Sequence, residues 1–92
     1  MLKPSYSKQF RKDIKKIEKA GRYDIKKLKA VIRLLIEGRQ LDPKHRDHNL
    51  TGNLKYRREC HIEPDWLLVY KFDRKEKVII FERTGSHSDI FE

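Results

Sequence analysis

Apolar residues recur along this chain with two different periods, and the change of period divides it into two halves. Phe10, Ile14 and Ile17 fall at i, i+4 and i+7 among Lys8, Arg11, Lys12, Lys15, Lys16 and Lys19, the spacing of an amphipathic helix. Ser7 is placed to cap its start, and Gly21 to stop it after Ala20. A second helix is expected from about Tyr23 to Glu37, with Ile25, Leu28, Ile32 and Leu35 facing inward and Val31 and Ile36 widening the stripe before Gly38. Two such helices joined by one or two residues read as an antiparallel hairpin. Ahead of them, Leu2–Tyr6 alternates weakly, as a short strand does.

From Gly38 to Asn53 neither period holds. Asp42-Pro43 and Thr51-Gly52-Asn53 signal turns around Lys44-His45-Arg46-Asp47-His48, and loops this long within small domains tend to be functional. Alternation then resumes. Over Leu54–Ile62 it puts Tyr56, Arg58, Cys60 and Ile62 on one face, and Lys55, Arg57, Glu59 and His61 on the other. Trp66–Phe72 and Val78–Arg83 follow as strands, separated by a hairpin loop at Asp73–Glu76. Gly85 breaks the last strand and leaves Ser86–Phe91 as a short tail or a single helical turn. The order β-α-α-β-β-β predicts an α+β fold: two N-terminal basic helices packed on a small, mainly antiparallel sheet, in one domain spanning residues 1–92.

Composition narrows the function. The chain has 92 residues and a formal charge of +9, yet residues 1–37 hold 12 Lys/Arg against 4 Asp/Glu, whereas residues 38–92 hold 11 against 10. A concentrated basic surface attracts polyanions. It also fits a merely solvated helix face. The longest apolar runs, Leu67–Tyr70 and Val78–Phe81, fall far short of the roughly 20 residues of a membrane span. No signal peptide is evident, and the single Cys60 suits a reducing compartment, so a cytoplasmic protein without a membrane partner is expected.

Residues suited to proton transfer concentrate in the second half, at His48, His61, Asp65, Arg83 and His87, with Trp66 and Phe91 nearby as stacking groups. If antiparallel strands bring them to one end of the sheet, the set suits RNA cleavage by internal attack. A base takes the 2′-hydroxyl proton, an acid protonates the leaving 5′-oxygen, and a cation meets the charge on phosphorus. Each residue also has a plainer reading. Trp66 at a strand start suits a core, Arg83 an ion pair, and Phe91 a hydrophobic closure. His45 and His48 have H-x-x-H spacing but no helix beneath it, and the adjacent Cys60 and His61 point to opposite faces, so no metal site and no cofactor are expected.

Three segments carry a more specific signal: Asp47-His48-Asn49-Leu50-Thr51-Gly52, Arg58–Tyr70 with its His61-Ile62-Glu63-Pro64-Asp65-Trp66, and Phe81–Phe91 with Phe81-Glu82-Arg83-Thr84-Gly85-Ser86-His87. Together they resemble the YafQ branch of the RelE toxin superfamily, over nearly the whole chain. The resemblance implies the toxin of a type II toxin–antitoxin pair, a ribosome-dependent endoribonuclease that cuts messenger RNA in the ribosomal A site. It implies that His48, His61, Asp65, Arg83 and His87 are catalytic. His87 would be the general acid, Arg83 would stabilise the phosphorane, and His48, His61 and Asp65 would compete as base. Trp66 and Phe91 would bind substrate bases. The implied partners are a cognate DinJ- or RelB-like antitoxin in a heterotetramer, the 70S ribosome and mRNA, with operator DNA reached only through the antitoxin complex. His45 lies outside the motifs. Two alternatives stand beside this reading: a ParE-like, non-nucleolytic toxin that binds DNA gyrase, and a basic RNA-binding module without chemistry.

Overall fold

The computed structural model describes residues 1–91 of the chain. A short strand β1 (Lys3–Tyr6) leads into helix α1 (Lys8–Ala20) and helix α2 (Ile25–Ile36). A loop with two 3-10 turns, at Pro43–His45 and Gly52–Leu54, flanks a two-residue strand β2 (His48–Asn49). Strands β3 (Arg58–Glu63), β4 (Trp66–Asp73) and β5 (Val78–Gly85) form the meander, and a short helix α3 (His87–Phe91) follows. The sheet order is β1-β5-β4-β3-β2, antiparallel except for the parallel pair of β1 with β5. The expected α+β architecture is what the chain adopts.

The helix boundaries follow from local chemistry. Ser7 Oγ accepts the Phe10 N–H at 3.0 Å and also donates to the Glu82 carbonyl at 2.9 Å, so one hydroxyl starts α1 and ties it to β5. Gly21 ends α1 in a left-handed conformation with φ of 71°. Asp24 caps α2 through the Lys26 N–H.

The buried stripes are rotated from those expected. In α1 they comprise Phe10, Asp13 and Ile17, with Ile14 only half-buried; in α2 they comprise Leu28, Val31 and Leu35, with Ile25 and Ile32 at the margin. These residues pack on Cys60, Ile62, Trp66, Leu68, Tyr70, Ile79 and Phe81, one face of the sheet. By alternation, Glu59, His61, Leu67 and Val69 lie on the opposite face. That second face carries the candidate chemistry.

Two expectations at the margin of the sheet need correction. Strand β3 begins at Arg58, not Leu54: residues 52–54 make a 3-10 turn, and Tyr56 is 79% exposed rather than part of a sheet face. The Gly52 signal, in a left-handed conformation with φ of 67°, wins over the alternation that follows it. The loop before it is not wholly irregular, since His48 pairs with Glu59 and Asn49 with Arg58. Among the described residues, no helix is long and apolar enough to cross a membrane.

Candidate active site

Register places the site. His48, Glu59, Val69 and Arg83 form one cross-strand row, and His61, Leu67 and Gly85 form the next. At about 4.8 Å per strand, the backbone of Gly85 lies roughly 10 Å from that of His61, with α3 beginning just beyond it. His48 and His61 and the start of α3 thus flank Leu67 as the two sides of one end of the sheet.

One side is formed by His48 and His61, whose rings are 6.4 Å apart. His61 Nδ1 donates to the Pro64 carbonyl at 3.2 Å, and His48 Nδ1 to the Arg46 carbonyl at 2.6 Å. A carbonyl only accepts, so both rings carry their proton on Nδ1 and leave Nε2 as the exchanging atom. His61 Nε2 lies 3.6 Å from Glu59 Oε1. His45, which has no motif role, donates from Nδ1 to the His61 carbonyl at 2.6 Å and braces the strand from behind.

Asp47 fixes the loop that carries His48. Its carboxylate accepts from the Tyr70 hydroxyl and lies 3.1 Å from the Arg58 guanidinium. Burial and that carboxylate push the Tyr70 phenol well above its ordinary range, so it remains a donor. The hydrogen bond from Arg58 to Asp47 likewise raises the pKa of Arg58.

The other side is the start of α3. The His87 ring packs on Phe91 with centroids 5.0 Å apart. Among the described residues, its two ring nitrogens have no hydrogen-bond partner. Asp65 Oδ1 accepts the backbone N–H of His87 at 3.3 Å, so this carboxylate helps set the position of the acid candidate.

Arg83 belongs to the first of these rows, and its guanidinium lies between α1 and α3. Val69 pairs with Arg83 and Tyr70 with Phe81, leaving Glu82 as an extra residue, and the bulge directs Arg83 past the end of β1 towards α1. There its guanidinium grips Asp13 from Nε at 2.8 Å and Nη2 at 3.3 Å. Glu82 itself stays on the face opposite the helices, where Arg57 and Lys71 bind it.

Trp66 is corrected outright. It is 1% exposed, its Nε1 donates to Thr84 Oγ1 at 3.0 Å, and its ring meets Tyr23 edge-on at 4.8 Å. A ring so enclosed belongs to the core and offers no face to a base. Phe91 is half-buried beside the His87 ring.

The motifs did not single out Glu59 or Asp13. Glu59 was recoverable, because it sits two residues before His61 and so shares its face. Asp13 was not, because its partner lies 70 residues away.

Residues 2–92 match the family described as the bacterial toxin of a type II toxin–antitoxin system, YafQ. The chain belongs to the YafQ toxin family. The mRNA interferase toxin YafQ of Escherichia coli K12 is 42% identical over 87 residues, covering 94% of this chain and 91% of the relative. The YafQ toxin in the E. coli DinJ–YafQ complex superposes with a TM-score of 0.89 at 40% identity, covering all of both chains. A metal-bound toxin from Helicobacter pylori superposes at 0.91 with 44% identity, over 99% of this chain and all of that one. The metal is that protein's. Among the described residues here, no three His, Cys, Asp or Glu side chains come together as a ligand set.

Proposed function

We propose that this chain is a ribosome-dependent endoribonuclease that cleaves mRNA in the A site. The observation that carries the reading is the placement of three imidazoles at one end of the sheet. His48 and His61 are anchored on the strand side, and the His87 ring, on the α3 side, has no hydrogen-bond partner among the described residues. His61 Nε2 takes the 2′-hydroxyl proton, and the neighbouring Glu59 carboxylate attracts the imidazolium that results. His48 Nε2, 6.4 Å away ring to ring, orients the ribose. The 2′-oxygen bonds to phosphorus, His87 gives its proton to the departing 5′-oxygen, and the products are a 2′,3′-cyclic phosphate and a 5′-hydroxyl. Arg83 faces the phosphorane charge, and Phe91 stacks against a base. DNA lacks the attacking group.

The name of the E. coli K12 relative and the DinJ complex support the activity and an antitoxin partner. On the helix side of the sheet, an apolar groove of about 540 Å³ is lined by Ile14, Ile25, Ile32 and Ile36 and bordered by Lys29 and Arg33. Its chemistry suits the apolar side of an acidic amphipathic antitoxin segment, within a heterotetramer that in turn contacts operator DNA. The exposed lysines of α1 suit phosphate contacts with ribosomal RNA.

Primer extension on a reporter message after induction tests the proposal. Wild type should produce in-frame cuts, and His87→Ala should produce none while still binding antitoxin. Cleavage by His87→Ala at the wild-type rate would remove the acid from the scheme.

A further inference from the structure

The charge of Arg83 is what the reaction above requires, but the strand carrying Arg83 does not by itself set the direction of its guanidinium. That direction comes from α1. Asp13 is only 7% exposed, and its carboxylate collects four donors: Arg83 Nε at 2.8 Å, Arg83 Nη2 at 3.3 Å, the Thr84 backbone N–H at 3.1 Å and Gln9 Nε2 at 3.1 Å. Arg83 Nη2 also reaches the Asp89 carbonyl at 3.2 Å, and Lys16, one helical turn after Asp13, binds Asp89 Oδ1 at 3.2 Å. Helix α1 therefore grips both sides of the junction between β5 and α3.

The donors of the guanidinium can be counted. It has five N–H groups in a rigid plane. Nε and Nη2 are directed at Asp13 and Asp89, whereas Nη1 has no partner among the described residues. A carboxylate beside a guanidinium also reduces its net field, so the arrangement makes poor sense as a charge reservoir. It makes sense as an aiming device, since a stabilising group contributes most when it is fixed before the charge develops.

We propose that Asp13 is a positioning residue for RNA cleavage, acting through Arg83: it holds the guanidinium edge-on so that the Nη1 donors face the scissile phosphate. The proposal rests on the reading of Arg83 as the phosphate ligand. Under it, the lysine-rich helix is part of the catalytic architecture as well as a docking surface.

The test is a double-mutant cycle. Single-turnover cleavage on message-programmed ribosomes is measured at saturating toxin for wild type, Asp13→Ala, Asp13→Asn, Arg83→Ala and the two double variants. Ribosome affinity and thermal unfolding are recorded alongside. Asp13→Ala should lower the saturated rate by about ten- to a hundredfold, the scale of a misplaced catalytic group, with ribosome affinity within about twofold of wild type. Asp13→Asn, which keeps the volume and one acceptor, should fall between the two, and it is the variant to read if Asp13→Ala is unfolded at the assay temperature.

In the Arg83→Ala background, either substitution should change the rate by less than about twofold, because the residue it acts through is gone. An equal loss in both backgrounds would overturn the proposal and make Asp13 a support of the fold alone. So would a wild-type rate in folded Asp13→Asn, provided Arg83→Ala is slow. A wild-type rate in Arg83→Ala would instead overturn the phosphate reading on which the proposal stands.

Discussion

His61 donates from Nδ1 to the Pro64 carbonyl and turns Nε2 towards Glu59 at 3.6 Å, whereas the ring of His87 packs on Phe91 and has no hydrogen-bond partner among the described residues. A fixed tautomer suits a base that must meet one hydroxyl, and an unengaged ring suits an acid that must follow a leaving group. Glu59→Gln keeps the shape and removes the charge facing the imidazolium, so cleavage at pH 7 should slow about ten- to a hundredfold with substrate affinity unchanged. A rate within about twofold of wild type would leave Glu59 without a part in the chemistry. Trp66 gives the opposite kind of prediction. Trp66→Phe removes the indole donor to Thr84 and part of a buried ring, and should cost about 1–3 kcal/mol in denaturant unfolding. Its cleavage rate should be unaltered. A tryptophan at a strand start is plain in the sequence, but which face would be covered is not, and here Tyr23 and Thr84 enclose it.

At the scale of an element, α3 is five residues long and would not persist alone. Reciprocal caps hold it: Ser86 Oγ accepts the Asp89 N–H at 3.1 Å, Asp89 Oδ2 accepts the Ser86 N–H at 3.1 Å, and Asp65 takes the His87 N–H. Gly85 at φ of 150° makes the approach possible, since a Cβ there would lie 3.1 Å from Asp89 Cβ. Gly85→Ala should therefore misplace His87 and reduce cleavage more than it reduces stability, as rate and unfolding measured on one preparation would show.

The Ser86 backbone and hydroxyl donors, with Lys16 behind them, hold the Asp89 carboxyl below its ordinary range. A depressed folded-state value stabilises the fold above the unfolded value, about pH 4, and the contribution disappears as pH falls through the folded value. Asp89→Asn should flatten that part of the acid limb when urea midpoints are compared from about pH 7 down to about pH 3. Two amphipathic helices and three long strands were legible from their periods. Strand β2 was not, because two residues carry no period, and neither was the start of β3, where a glycine turn interrupted an alternating run.

At the scale of the molecule, the two faces of the sheet divide the labour. The helix face carries the basic surface and the apolar groove, and the opposite face carries His48, Glu59 and His61. Replacing the exposed Lys8, Lys12 and Lys15 with Gln should lower the log–log salt dependence of ribosome binding by about one for each phosphate no longer neutralised. The single-turnover rate at saturation should stay the same. Ile32→Glu, in the groove, should weaken antitoxin capture in a titration without touching cleavage. The charge asymmetry was plain in the sequence. That α1 also reaches through Asp13 to Arg83 and Thr84 was hidden, because ion pairs between distant segments leave no period to read.

Strand β1 pairs in parallel with β5, Lys3 beside Val78 and Tyr6 beside Phe81, and Ser7 is bonded to residues 81 and 82. The first strand of the chain must therefore wait for the last. During synthesis, β1 has no partner until β5 has emerged, and His87 and Phe91 are made later still. A chain that has not yet reached residue 87 thus has neither a closed sheet nor the histidine on the α3 side. Under the proposed reading, cleavage by the chain waits until residues 87–91 have emerged.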